Sequence, residues 1–166
     1  IDGASLGPDG IDRVELLIAP NRGEPPRALH RIASGGELSR SLLAIKRVLA
    51  ARSPRGLYVF DEVDTGVGGA VAEAIGRKLA AVADHQQVLC ITHQPQIAAY
   101  GAAHWHVDKH ADGDRTVSVL QQLDADAREA ELARMLGGIE VTEAHHAAAR
   151  DLLDAARRAR GEAEPG

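Results

Sequence analysis

Ile32-Ala-Ser-Gly-Gly-Glu-Leu-Ser-Arg40 is the stretch on which the fold turns. A polar double-glycine turn runs straight into an apolar-periodic segment. Leu38, Leu42, Ile45 and Leu49 recur at helical spacing, with Arg47 and Arg52 elsewhere on the wheel, which predicts a helix from Glu37 to about Arg52. Ser34 stands where a hydroxyl can take up a free backbone N–H. Gly35 and Gly36 have no Cβ, so the backbone there can approach a ligand closely. The unpaired N–H groups and partial positive charge of a helix start favour an anion. Taken alone, the stretch fits an ordinary capped helix as well as it fits a phosphate site.

Downstream, Ser53-Pro-Arg-Gly56 ends that helix. Leu57-Tyr-Val-Phe60 is a short, wholly apolar run, the pattern of a strand buried on both faces. It ends in Asp61-Glu62. Adjacent carboxylates at the tip of a buried strand are costly unless partnered. A strand-end Asp holding Mg²⁺ is the recurrent arrangement in nucleotide-hydrolysing P-loop proteins, and an adjacent Glu can polarise a water. Two acids that simply mark a solvent-facing strand exit fit the same residues. Asp64-Thr-Gly-Val-Gly-Gly69 is a second glycine-rich loop. It opens a helix over about Ala70 to Val82 with Val71, Ile75, Leu79 and Val82 as its apolar face. Gln87 to Ile91 is the next apolar strand, closing in Thr92-His93. With a helix between the two strands, a parallel crossover is expected, and it would put His93 beside Asp61-Glu62. Pro95 suits the first turn of a short helix ending near Tyr100.

Upstream, Ile1 to Gly10 reads as loop. Val14, Leu16 and Ile18 alternate as in a strand, Asn21 to Pro26 is a turn, and Ala28 to Ile32 is a short returning strand. After Gly101, His104 to Lys109 and Thr116 to Leu120 read as a hairpin around Ala111-Asp-Gly-Asp114. His104, His106 and His110 lie near Asp108, but the spacing is not a zinc pattern, and a solvated hairpin face is the better reading. Asp124 to Leu136 is a helix with Leu132, Met135 and Leu136 on its apolar side, ended by Gly137-Gly138. A last helix runs from Thr142 to about Arg160. His145 and His146 are adjacent, so they do not share a face for joint ligation.

Composition narrows the function. The 166 residues are 45% hydrophobic but only 2% aromatic, enough for one domain with an aliphatic core. A formal charge of -5 gives no basic platform for neutralising DNA phosphates. The one local cluster of arginines, Arg150, Arg157, Arg158 and Arg160, reads as a solvated helix end. The single cysteine, Cys90, lies in an apolar run and reads as a small buried residue. No apolar run reaches membrane-spanning length, so no membrane partner and a cytoplasmic setting are expected. The chain begins at Ile1 rather than Met and reads as a piece of a longer protein.

The order Ser-Gly-Gly-Glu with its helix, strand with Asp-Glu, glycine loop with helix, then strand with His resembles the second half of an ABC-type ATPase head. Within that superfamily the chain is similar to the RecN family of DNA repair proteins, relatives of the SMC chromosome-organising proteins. Four blocks carry the likeness: Ile32 to Arg40, Phe60-Asp-Glu-Val-Asp-Thr-Gly-Val-Gly-Gly69, Cys90-Ile-Thr-His-Gln-Pro-Gln-Ile-Ala-Ala99 and Glu131-Leu-Ala-Arg-Met-Leu-Gly-Gly138. The last two separate RecN-like chains from transporter ATPases. The resemblance implies an α/β fold, the C-terminal half of a P-loop NTPase head, with a mainly parallel sheet flanked by helices. Residues 1–31 would supply N-terminal strands, 32–100 the motifs, and 101–166 a hairpin and helices.

By position, Ser34, Gly35, Gly36 and Glu37 would be the signature that touches ATP held by an opposite subunit. Asp61 would act on Mg²⁺ through water, Glu62 would be the general base, and His93 would sense the γ-phosphate. The segment from Asp64 to Gly69 would be the D-loop at a head dimer interface. Ala33 stands where many ABC proteins have Leu, and Gly68 where many place the D-loop Asp, so that Asp contact is not carried over. No G-x-x-x-x-G-K-[ST] occurs, so the phosphate-wrapping loop and the glutamine switch would belong to an N-terminal lobe of the same protein, beyond a long coiled coil. The resemblance implies ATP and Mg²⁺ as cofactors, a homodimer through ATP-sandwiched heads, DNA as partner of the full-length protein, and a nucleoid-associated setting. Another ABC-class ATPase or a non-catalytic dimerisation lobe are the other readings.

Overall fold

A computed structural model of the protein describes residue 10 and residues 14–19, 22–29, 35–112 and 115–161. Its elements are β1 (Leu17–Ile18), β2 (Arg27–Ala28), α1 (Gly35–Leu49), a 3₁₀ turn over Ala50–Arg52, β3 (Leu57–Phe60), α2 (Gly69–Ala83), β4 (Gln87–Cys90), α3 (Pro95–Ala98), β5 (Trp105–Asp112), β6 (Arg115–Gln122), α4 (Ala125–Gly137) and α5 (Glu143–Arg160). The α/β class that the resemblance implies is what forms, with the described strands in three two-stranded sheets, one of them parallel. β3 and β4 pair in parallel, with Leu57 opposite Gln87 and Phe60 opposite Cys90. β1 with β2, and β5 with β6, pair antiparallel. The predicted first hairpin is present, but shorter than the alternation suggested: only Leu17 and Ile18 pair, with Ala28 and Arg27. Leu29 follows β2 in a 3₁₀ conformation rather than extending the strand, and residues 30–32 and 113–114 lie outside the described residues.

One core forms where α1, α2 and α3 meet a single face of the β3–β4 pair. Leu43, Phe60, Val63, Ala72, Ile75, Leu79, Val82 and Ile97 fill it, with Tyr58, Val88 and Cys90 packed against them. Alternation along a strand sends Leu57, Val59, Leu89 and Ile91 to the other face, and all four are exposed, Val59 at 56%. The sequence predicts β3 buried on both faces. The structure corrects this: among the described residues no element covers the second face. The same cause rotates α1 from its predicted face. Leu43 is 1% exposed and points into the core, whereas Leu42, Val48 and Leu49 are exposed. On α2, likewise, Ala72 and Gly76 are buried and Val71 is not.

A second core joins α3 to α4 and α5 through Ala99, Tyr100, Leu132, Ala133, Ala149, Leu153 and Ala156. Small residues let the helices approach closely. Asp124 caps α4 by accepting from the N–H of Ala127, and Gly138 ends it at φ 66°. Thr142 and His145 form a capping box at the start of α5. Two arginines close the C-terminal end of α3. The Arg128 guanidinium donates to the carbonyls of Ala98, Ala99 and Gly101 at 3.2, 2.9 and 2.6 Å. Arg160 donates to those of Tyr100 and Gly101 at 3.0 and 3.3 Å. At the opposite end of the sheet from the acid tips, the buried Gln86 side chain ties three segments together. Its carbonyl accepts from Gly56 N at 2.7 Å, and its amide donates to Ala50 O at 2.9 Å and Ser53 O at 3.3 Å.

Candidate functional site

Parallel pairing decides where the site lies. Ile91 N donates to Phe60 O at 3.0 Å, so both strands end at the same level, and Asp61-Glu62 and Thr92-His93 leave the sheet side by side. Asp61 is exposed. Its Oδ1 accepts from the N–H of Glu62 at 2.9 Å. Glu62 adopts φ 57°, the only left-handed non-glycine among the described residues. That conformation is strained for a residue with a side chain, and such strain gathers at working sites. The turn that follows is closed by Thr65 N to Glu62 O at 3.1 Å and Val67 N to Asp64 O at 3.2 Å.

The start of α1 docks onto this turn. Ser39 Oγ donates to Asp61 O at 3.0 Å, and Arg40 Nη1 donates to Thr65 O at 2.9 Å and Val63 O at 3.4 Å. Gly35 lies directly beneath the Glu62 carboxylate, where a Cβ would collide with it. A Cβ on Gly36 would come within 3.1 Å of Glu62 O and 3.0 Å of Thr65 Cβ. At Gly35 the contact is the end of the exposed Glu62 side chain, which can swing away; at Gly36 it includes Glu62 backbone and Thr65, so a side chain is resisted more firmly there. Gly36 is buried, while Gly35 and Glu37 are exposed at the helix start. Ser34 lies outside the described residues.

Of the residues the sequence singles out, Gly35, Gly36, Asp61, Glu62 and His93 come together at this one end. Sequence reading missed what joins them. Asp64 is 3% exposed and its Oδ2 accepts from Thr92 Oγ1 at 2.6 Å and from His93 N at 2.9 Å, with His93 Nδ1 at 3.0 Å. Burial works against its charge, but the Thr92 hydroxyl and the His93 N–H and ring together hold its carboxyl below the ordinary range. The signal was present as a third acid three residues after Asp61, next to a motif already read as chemical. Cys90 is inert: burial, then the Asp64 and Asp61 charges, push its thiol up to about 12.

The exposed Asp61 carboxylate beside Glu62 fits one member of a Mg²⁺ site. That ion characteristically takes one or two protein carboxylates and completes its shell with water and substrate phosphate. The other histidines have separate duties. His106 Nδ1 meets Glu131 at 3.1 Å, His110 meets Asp108 at 3.4 Å, and His146 meets Glu129 at 3.2 Å. Three of the four arginines in the α5 cluster are engaged as well, and Arg158 is exposed. Arg150 pairs with Glu129 and Glu143, Arg157 with Asp154, and Arg160 with the carbonyls after α3. Among the described residues no helix is long and apolar enough to cross a membrane.

No protein-family model matches the chain. Three DNA repair proteins RecN are similar to it. That of Xylella fastidiosa (strain Temecula1) is 51% identical over 146 residues, 88% of this chain and 26% of the relative. That of Streptomyces coelicolor is 48% identical over 153 residues, 92% of this chain and 27% of the relative. That of Bacillus subtilis (strain 168) is 45% identical over 148 residues, 89% of this chain and 26% of the relative. A solved structure from work on the structural biochemistry of ATP-driven dimerisation and DNA-stimulated activation of SMC ATPases aligns with 69% of this chain and 68% of its own, at a TM-score of 0.45 and 21% identity. The chain spans about a quarter of the length of the relatives it matches. With close to half or more of its residues shared across nearly its whole length, the chain belongs to the RecN family.

Proposed function

We propose that this chain is the C-terminal lobe of an ABC-type ATPase head in a RecN protein, acting in DNA double-strand break repair and recombination. One observation carries the reading: Asp61, Glu62, His93 and the start of α1 converge at the end of the parallel pair. In this reading Glu62 orients and polarises the attacking water, and His93 Nε2 meets the γ-phosphate. Asp61 holds Mg²⁺ through water. Ser34, Gly35 and Gly36, with Glu37 behind them, present the helix start to ATP on an opposite head. When bound, ATP with Mg²⁺ would supply the phosphoanhydride bond whose hydrolysis releases the two heads from each other.

Two further observations support a lobe completed by another part of the same protein. The sequence has no G-x-x-x-x-G-K-[ST] to wrap the β- and γ-phosphates. The apolar second face of β3–β4 stands open, as expected where a neighbouring layer belongs. The formal charge of -5 offers DNA no basic platform on this chain, so DNA contact is assigned to the coiled-coil arms or the other lobe.

The test is ATP turnover by this chain alone, and mixed with the N-terminal half of the head, with and without Glu62→Gln. Activity in the mixture alone, abolished by the substitution, is expected. Turnover by the pure chain that is lost on Glu62→Gln would refute the split head. Turnover and dimer lifetime that ignore Glu62→Gln in the completed protein would instead make this a non-catalytic dimerisation lobe.

A further inference from the structure

We propose that Asp64 is the positioning residue for His93: it fixes the ring's tautomer and direction, and ties both to the turn that carries Glu62. The inference rests on the reading of His93 as the γ-phosphate contact, and it adds a residue to that site.

The chemistry starts from burial. A carboxylate as enclosed as Asp64 is costly unless its oxygens are bonded. Here one oxygen, Oδ2, collects the Thr92 hydroxyl, the His93 backbone N–H and the His93 ring. The ring contact prescribes a protonation state. A carboxylate only accepts, so Nδ1 must carry the hydrogen. The opposite nitrogen is addressed independently. Gln94 Nε2 lies 3.1 Å from Val67 O, which orients its amide with the NH₂ towards that carbonyl, and the same NH₂ lies 3.2 Å from His93 Nε2. A donor facing Nε2 requires a lone pair there. Both neighbours therefore specify the Nδ1–H tautomer in the nucleotide-free chain, with Nε2 on a side chain that is 73% exposed. To donate to a γ-phosphate oxygen Nε2 must take up a proton, and Asp64 then holds the imidazolium through the same Nδ1–H.

The carboxylate is itself held. Asp64 sits between Val63 and Thr65, whose carbonyls both accept from Arg40 of α1. His93 thus inherits its place from the turn after Glu62, and that turn inherits its place from α1. A buried acid behind a histidine that fixes its tautomer is a known means of setting imidazole chemistry.

The test reads the ring directly. In the chain labelled with ¹⁵N-histidine, two-bond ¹H–¹⁵N spectra at alkaline pH report which ring nitrogen of His93 is protonated. Nδ1–H is expected in the wild type and in Gln94→Ala, where Asp64 alone specifies it, and a shift towards Nε2–H when Asp64→Ala is added. Thr92→Val, which removes the hydroxyl bond to Asp64 and the acceptor of Gln94 N but leaves the ring contact, should leave the tautomer as it was. A wild-type His93 in the Nε2–H form overturns the proposal without any variant, and so does an unchanged ring when Asp64→Ala is combined with Gln94→Ala. In the full-length protein, Asp64→Ala should lower kcat about tenfold or more with KM unchanged. The pair with His93→Gln should be no slower than His93→Gln alone, and losses that multiply would overturn the proposal. If His93→Gln leaves turnover untouched, the γ-phosphate role of His93 fails, and the ring spectra alone decide whether Asp64 positions it.

Discussion

Gly76 of α2 lies flat against the ring of Tyr100: a Cβ added there would come 2.6 Å from Tyr100 Cδ2 and 3.0 Å from Gln96 O. Two opposed effects meet at this position. Alanine is favoured over glycine inside a helix by about 0.5–1 kcal/mol. Forcing a methyl into a filled interior costs about 1–3 kcal/mol. Tyr100 is buried and the second contact is backbone, so the clash should win. Gly76→Ala is expected to lower the urea midpoint, and a raised midpoint would show that the ring can move aside.

Gln86 supports a prediction of the same kind at the far end of the sheet. Replacing it with Leu keeps the volume but strands Gly56 N and Ala50 O, which it now satisfies. Each buried group left unpaired costs about 1–3 kcal/mol. Gln86→Leu should therefore destabilise the chain by a few kcal/mol in denaturant melts, while Gln86→Glu, which keeps one acceptor, should retain the Gly56 bond.

Much of this was legible in the sequence. β3, α2, β4 and the C-terminal helices stand within a residue or two of where periodicity and caps placed them, because local signals dominate there. Which side of α1 faces inward was not legible. Leu42 and Leu43 are equally apolar, and only the position of α2 and the one-sided sheet picks Leu43. The bond from Asp64 to His93 was hidden for a related reason. It spans 29 positions and depends on strand register, which no local pattern encodes. The left-handed Glu62 was equally out of reach, since nothing about Asp-Glu-Val forces it.

Acid should weaken the fold through His104. Burial, then the Arg128 charge, holds this histidine below its ordinary range, and its Nδ1 is buried without a partner among the described residues. The unfolded chain therefore takes the proton first. Stability from neutral His104 is complete above about pH 6.5 and is lost as pH falls through the lower folded value. Glu131, held low chiefly by Arg134, adds a second loss in the same direction below the ordinary carboxylate range. Melting temperatures from pH 7.5 down to 5.5 should fall in the wild type and fall less in His104→Gln. Equal slopes would assign the loss to other groups.

The open sheet face gives a test that separates folding from assembly. Val59 and Leu89 are already exposed, so Val59→Lys should change this chain's own stability by less than about 0.5 kcal/mol. If the face receives the rest of the head, the same change should weaken association with the N-terminal half by at least about tenfold, or ~1.4 kcal/mol. Unaltered affinity would place that contact elsewhere.

The arginine closure of α3 has a consequence in time. α3 spans only Pro95–Ala98, too short to persist unaided, and it follows His93 directly. One of the guanidinium groups at its end belongs to Arg160, 60 positions after Tyr100. On the ribosome, then, β3, β4 and the acid turn can assemble while the segment behind the histidine still lacks its anchor. Arg128 brings the first anchor of that segment with α4, and the second arrives only when the final turn of α5 has emerged and docked.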